Sequence, residues 1–270
     1  NPYADIPNFK FEDKSPNNNY LYAYNSKLVT DSALGSYSLS SRGDITNGTY
    51  VNSLTASYWY INGEDPVGSL SATFSKEFSI SIWYKPDVTV PSEPRTIFSN
   101  YGDSGDRIEL THRHVYGDIW CWLQTNGGVG QQDDTATQMS SSNWNHIVLS
   151  IDNLGKARIY VNGSLDLTMP GTFSFTDWQS NRRLGNGRLI CIGSNQYTLI
   201  DDPAQGLVDE LSIWGHALDA GEVSAIYNGG SGVDLSSMSG LSGYWTMETP
   251  LASATDVNCV SPTPTPTNTP

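Results

Sequence analysis

Apolar and polar residues alternate in short runs along most of the chain, with turn residues between them. The runs "FSISIWYKP" (78–86), "RTIFSN" (95–100), "RIELTHRHV" (107–115), "DIWCWLQT" (118–125), "HIVLSID" (146–152), "ARIYVNG" (157–163), "RLICIGS" (188–194) and "GLVDELSIW" (206–214) all have strand length. They are rich in Ile, Val, Trp and Tyr, which suit a half-buried pleated surface. "SLSATF" (69–74), "YLYAY" (20–24) and "SGYWTMET" (242–249) read the same way. Asn126-Gly127-Gly128, Asn153-Leu154-Gly155 and Asn162-Gly163 separate them and tolerate positive φ. Many short alternating strands predict a two-sheet antiparallel sandwich rather than helices on a parallel sheet. One helix is predicted in "HALDAGEVSAIYNGG" (216–230), with Asp219 as N-cap, Glu222 completing a capping box and Asn228-Gly229 as the stop.

The pattern divides the chain into three. Residues 1–27 read as an extended arm carrying Ile6, Phe9 and Phe11, residues 28–250 as the sandwich, and 251–270 as a Thr/Pro-rich tail ending "SPTPTPTNTP". Twenty-eight acidic against fourteen basic residues give a net charge of −14. That balance disfavours a phosphate backbone, so nucleic acid is not an expected partner. It is compatible with calcium or simply with solubility. The apolar runs are too short to span a membrane. The chain begins at Asn1 without a signal-like stretch, as expected of a mature secreted form.

Cys121 and Cys191 sit in strand-like runs and Cys259 just before the proline tail. In an oxidising compartment two could pair; otherwise the strand pair are small buried hydrophobes.

Three stretches in order carry a family resemblance: "FSISIWYKP", "NWNHIVLSIDNLGKARIYVNG" (143–163) and "GLVDELSIWGHALDAGEVSAIYNGG" (206–230). With "TDSALGSYSLSSRGDI" (30–45) upstream, the chain resembles the concanavalin A-like laminin-G family from about Leu28 to Tyr227. The carrying residues are Trp144-Asn145-His146-Ile147, Tyr160 to Gly163, Gly206 to Glu210 and Ala217-Leu218. The resemblance implies an all-β jelly roll of two antiparallel sheets. It implies little about function, because the fold hosts lectins, adhesion modules, hydrolases and filament subunits. In the family the inward acid of the Asp-Glu strand bonds backbone in a neighbouring turn. Strand alternation gives Trp83, Trp144 and Trp214 to the space between sheets. It makes His146 a hydrogen-bonded structural residue, and turns one of Asp209 and Glu210 outward.

No catalytic set is apparent, so an enzyme is not expected. Hydrolases of this fold carry a Glu-x-Asp-x-(x)-Glu strand whose carboxylates stand about 5–5.5 Å apart for retaining glycoside cleavage, and no such string occurs. Asp133-Asp134 and Asp209-Glu210 are adjacent, so strand geometry points them apart. "GGSG" (229–232) is no nucleophile elbow. His112 and His114 have a two-His metal spacing but no third ligand nearby. Calcium is the more credible ion, as some laminin-G branches hold it at the sandwich rim. Asp103 and Asp106 in "NYGDSGDR", and Asp201 and Asp202 in "LIDDPAQG", are the candidate ligands.

Two non-enzymatic readings follow. In the first, the protein is a repeating subunit of a glycosylated extracellular filament, partnered by copies of itself. Ile6, Phe9 and Phe11 would be assembly contacts, and the tail a stiff strap bearing O-glycans on Thr263, Thr265, Thr267 and Thr269. Fixing such a segment costs about 1–2 kcal/mol of backbone entropy per residue, so a neighbour must hold it. Asn47 and Asn162 begin N-glycosylation sequons. In the second, the protein is a carbohydrate-binding module that stacks sugars on Trp120 or Trp178, with Tyr101 and Tyr116 as further exposed aromatics.

Overall fold

The computed structural model describes residues 9–16, 20–24, 27–36, 38–40, 58–62, 76–92, 94–101, 107–125, 130–175, 183–185, 188–191, 198–201, 204–248 and 250–251. The strands in chain order begin with β1 (Phe9–Glu12), β2 (Tyr20–Tyr24), β3 (Lys27–Val29), β4 (Ser38–Ser40), β5 (Tyr58–Asn62) and β6 (Phe78–Pro86). Next come β7 (Arg95–Tyr101), β8 (Arg107–His112), β9 (Ile119–Gln124), β10 (Gln131–Asp134), β11 (Asn145–Ile151), β12 (Ala157–Val161) and β13 (Ser164–Thr168). Then follow β14 (Arg183–Gly185), β15 (Arg188–Cys191), β16 (Thr198–Asp201), β17 (Gly206–Trp214), helix α1 (Ala220–Tyr227), β18 (Leu241–Trp245) and β19 (Pro250–Leu251). They form the expected all-β sandwich. One sheet, A, runs β10-β9-β8-β7-β14-β5-β2-β1-β19. The other, B, runs β13-β12-β11-β6-β17-β4-β3, with β18 also paired to β17, and β15 and β16 form a separate hairpin.

Alternation decides what fills the space between the sheets. Ile80, Ile82, Ile147, Leu149 and Ile159 of sheet B meet Phe98, Ile108, Leu110, Ile119, Cys121 and Leu123 of sheet A in one cluster, together with Trp245 and Met247. Each fully buried side chain of this size contributes about 1.5–3 kcal/mol relative to exposure. Cys121 is a free, fully buried thiol, and burial pushes it well above its ordinary value. It behaves as the small hydrophobe of the two expectations.

The expected arm is not separate from the sandwich. β1 and β2 pair with each other, β1 with β19 and β2 with β5, and Phe11 and Leu21 are buried in the main core. Phe11, expected as an assembly contact, is therefore spent on the fold. The alternation of Phe9 and Phe11 is simply that of a strand.

A second cluster lies on the outer face of sheet B. Val148, Tyr160, Trp214 and Tyr244 pack there against Leu218, Val223, Ile226, Leu235 and Leu241 of the helical segment and its flanks. The helix is placed as its sequence predicts. Asp219 caps it in a complete capping box with Glu222, and Asn228 ends it in a left-handed conformation. Two serines paired across β6 and β11 beneath it tie the chain down. Ser79 Oγ donates to His216 O (3.0 Å) and accepts from Leu218 N (2.8 Å), while Ser150 Oγ donates to Leu218 O (2.9 Å).

Here two expectations need correcting. Trp83 and Trp214 do not face the inter-sheet space. Phe78, Ile80, Ile82 and Tyr84 take that face of β6, so Ser79, Ser81 and Trp83 point the other way, beneath the helical layer. Trp144 is half-buried, with its indole N–H donating to Asp31 Oδ1 (3.0 Å). Asp209 and Glu210 are both buried, against the alternation. The pairing of β17 with β6 shifts register between Asp209 and Ser212, and Glu210 has φ 50°. An inserted residue of this kind breaks the two-residue period. Asp209 accepts from Ala33 N (2.9 Å), as the family resemblance implies, and Glu210 accepts from the Tyr244 hydroxyl. His146 matches its structural reading. It is fully buried, 2.8 Å from Ser81 Oγ, and stacked with Trp83 and Tyr227.

Candidate functional site

Of the two outer faces of the sandwich, the helix and its flanks close that of sheet B. On the other, that of sheet A, the β7 and β8 positions Thr96, Ser99, Glu109 and Thr111 are buried and polar, while Arg107, Trp120 and Trp122 are half-buried. On β8 the outward positions are Arg107, Glu109 and Thr111, because Ile108 and Leu110 point into the core. On β9 the register sets Gln124, Trp122 and Trp120 opposite them. Thr96 and Ser99 of β7 pair with Thr111 and Glu109, and the row through Ser99 continues in register to Gly185, Tyr60 and Tyr22.

The floor of this face is polar and fixed. Glu109 is fully buried, and its Oε1 accepts from Thr111 Oγ1 (2.8 Å) and Thr96 Oγ1 (3.3 Å). Arg107 Nη1 lies 3.9 Å from Glu109 Oε2, and its guanidinium sits 3.8 Å from the centre of the Trp122 ring. A cation over an indole face is attracted by the ring quadrupole. Trp122 and Trp120 are both half-exposed, 5.1 Å between ring centroids and tilted by 53°.

The face runs on to a rigid rim. Asp134 of β10 pairs with Trp120 and holds Arg113 Nη1 at 2.5 Å, while Arg113 forks onto Asp118 at 2.7 and 2.6 Å. The carboxylate of Asp118 raises the Arg113 pKa; burial pushes the Asp134 carboxyl up, against the pull of the Arg113 charge. The same guanidinium lies 4.5 Å from the Tyr116 ring centre, and Tyr116 is 56% exposed. Two loops are bound together here: His112 Nε2 donates to Thr89 O (2.9 Å), and Met139 N to Gly117 O (2.7 Å). Gly117 has φ +73°, and a Cβ there would stand 2.2 Å from Thr89 O. Gly117→Ala is therefore expected to cost about 1–3 kcal/mol and to part the two loops. An unaltered unfolding midpoint would contradict this packing.

Trp120 thus lies on this face, beside Trp122. Arg107, Glu109, Trp122, Arg113 and Asp134 were missed in the sequence. The signal was there in "RIELTHR" against "IWCWLQ", where polar and aromatic residues share one parity. His112 and His114 do not form a metal pair, since His112 is buried against Thr89 O and His114 is exposed in the turn beyond the strand. Among the described residues no group of three or more His, Cys, Asp or Glu could hold a metal. Asp201 ends β16, and its side chain lies outside the described residues. Asn162 forms the β12–β13 turn at φ 50°, and its Oδ1 accepts from His146 N (2.9 Å). Ile6, Asn47, Asp103, Asp106, Trp178, Cys259, Asp202, Thr263, Thr265, Thr267 and Thr269, with the run 69–74, lie outside the described residues.

Glu109 has hydroxyls and a guanidinium as neighbours, and its flanking outward positions on β8 are Arg107 and Thr111 rather than a second acid. Among the described residues, Glu109 thus belongs to a buried hydrogen-bonded layer beside the half-buried Trp120 and Trp122.

No curated protein matches the chain. Among solved structures, the fold is similar to the binding domain of botulinum neurotoxin serotype D/C (TM-score 0.58, 14% identity, 82% of this chain and 52% of that one). It is similar also to a botulinum neurotoxin DC binding domain in complex with rat synaptotagmin II (TM-score 0.56, 13% identity, 82% and 51%). A third is a botulinum neurotoxin type C structure whose cell entry depends on two ganglioside molecules (TM-score 0.55, 13% identity, 82% and 51%). The chain thus spans about half the length of these structures. The family model of the concanavalin A-like lectin/glucanases superfamily, Laminin_G_3, matches residues 62–224, more than half of the chain, and the protein belongs to that family.

Proposed function

We propose that the protein is an extracellular carbohydrate-binding module whose ligand lies on the outer face of sheet A. The observation that carries this reading is the half-exposed Trp120–Trp122 pair, set beside Arg107 over the polar floor of Glu109, Thr96 and Thr111. Sugar rings present C–H faces that stack on aromatic surfaces and hydroxyls that need fixed acceptors and donors. The stacking faces stand on one rigid sheet, backed by the buried Glu109, Thr96 and Thr111 hydrogen bonds, so little ordering is required on binding. A structure of the same fold is described as entering cells through ganglioside molecules, which supports glycan recognition as the role. The filament reading leans on residues 261–270 and on the terminal arm. The first lie outside the described residues and part of the second is core, so the binding reading is preferred.

Trp120→Ala is expected to abolish, or to weaken at least about tenfold, every hit on a broad glycan array, with the unfolding midpoint changed little because the ring is not fully buried. An array with no hit for the wild-type chain, or hits that survive the substitution, would overturn the proposal.

A further inference from the structure

We propose that the glycan bound is a linear, uncharged polysaccharide, held along a track from Trp122 over Trp120 to Tyr116 rather than in a pocket for one terminal sugar. This inference rests on the carbohydrate-binding reading and adds the ligand class. Its length comes from β9 and the turn before it. Trp122 and Trp120 occupy successive outward positions, and the turn that precedes the strand presents Tyr116. From Trp122 to Asp118 alone there are four residue steps, about 13 Å at roughly 3.3 Å each. One sugar ring cannot reach from the Trp pair to Tyr116.

The aromatic surfaces are joined by fixed polar links rather than by open solvent. Asp134, the cross-strand partner of Trp120, holds Arg113, and Arg113 lies against Tyr116. Tyr116 is itself seated: Gln138 Nε2 donates to its carbonyl at 2.6 Å, and the next residue, Gly117, is locked against Thr89. Val115 beside it is also exposed, which gives the rim an apolar shoulder suited to sugar C–H groups. A stacking surface that is both exposed and rigid pays little entropy when a ligand arrives.

Charge selects among linear glycans. The two guanidinium groups on the track are already matched. Arg113 is forked on Asp118 and paired with Asp134, and Arg107 faces Glu109. The chain as a whole carries −14. A uronate or sulfate polymer would meet compensated arginines and a repelling field, whereas a neutral chain meets only stacking faces and hydrogen bonds.

Calorimetric titration of the full chain with size-graded neutral gluco-, xylo- and manno-oligosaccharides, from disaccharide to hexasaccharide, tests the track, with alginate and heparin fragments as charged comparators. Affinity in at least one neutral series is expected to rise at least about tenfold with length. Tyr116→Ala is expected to bring the longer chains down to the level of the shortest. Affinity that saturates at a mono- or disaccharide, or that Tyr116→Ala leaves rising with length, overturns the track while leaving the carbohydrate reading intact. Tighter binding of the charged fragments overturns the neutral assignment. No binding to any of these sugars, together with a silent array, overturns both proposals.

Discussion

Replacing Glu210 by Gln is expected to remove much of the loss of stability expected of the wild-type protein between about pH 6.5 and 8. Glu210 is 3% exposed, and burial pushes its carboxyl up to about 8, against the opposing pull of the Tyr244 hydroxyl bond. In the unfolded chain the same group ionises near its ordinary value of about 4.3. Between those two pH values the folded state holds a proton that the unfolded state has released. Stability therefore falls as pH rises through the window, by at most about 1.4 kcal/mol per pH unit for one group. Asp209 acts in the same direction, because burial and the neighbouring Glu210 charge push it well up despite the amides of Ala33, Leu34 and Glu210 that it accepts from.

Two histidines shape the acid side. Burial pushes His146 down to about 3 and lowers His112 as well. Each stays neutral in the fold while the unfolded chain takes up a proton below about pH 6.5, so their contribution is complete above that value and is lost as pH falls. From about 4.5 to 6.5 the acids and the histidines oppose one another, and above 6.5 the acids act alone. Urea unfolding at pH 6.5, 7.2 and 8 should show about 2 kcal/mol of decline in the wild type, and a clearly smaller decline in Glu210→Gln. A wild-type profile that is flat or rising over this range, or one that the substitution leaves unchanged, would refute the assignment.

How much of this was legible in the sequence differs from element to element, for physical reasons. Strands, turns and the capped helix depend on local chemistry: the alternation of β6 and β11, Asn162-Gly163 at positive φ, and Asp219 with Glu222. The sandwich could be read from them. The direction of Trp83 was legible in principle, since it shares parity with Ser79 and Ser81 while four large apolar residues share the other. Size suggested the core; parity and the helical layer decided otherwise. The joint burial of Asp209 and Glu210 was not legible. It arises where β17 exchanges β4 for β18 as its neighbour, and those strands lie far apart in sequence. The candidate site was half legible. Trp120 declares itself as an aromatic on an alternating strand, but Arg113 reaches Asp118 and Asp134 only once the β8–β9 turn folds over β10. Phe11 is the converse case, an apolar residue in a polar setting that reads as a contact for another subunit until β1 is seen paired inside sheet A.

The correction at Trp83 carries the other large expected effect. Trp83→Ala should cost about 3–5 kcal/mol, the range for deleting a fully buried aromatic. Its ring is 2% exposed and stacked on two others, with centroids 4.9 Å from His146 and 5.8 Å from Tyr227. Tyr227 is the last residue of α1, and Gly232 beyond it also abuts the Trp83 ring. Loss of the indole thus leaves a cavity under the end of the helix. The start of the helical segment stays anchored by Ser79 and Ser150. Local opening should therefore begin at residues 225–235, and amide exchange there should quicken more than in β6 or β11. Trp144→Ala is the control, for that ring is half-buried and held by a single hydrogen bond to Asp31, so about 1 kcal/mol or less is expected. If Trp144 lay between the sheets and Trp83 did not matter to the helix, the order of the two costs would reverse. A larger loss in Trp144→Ala than in Trp83→Ala, or exchange that quickens equally throughout sheet B, would show that the helical layer does not rest on this stack.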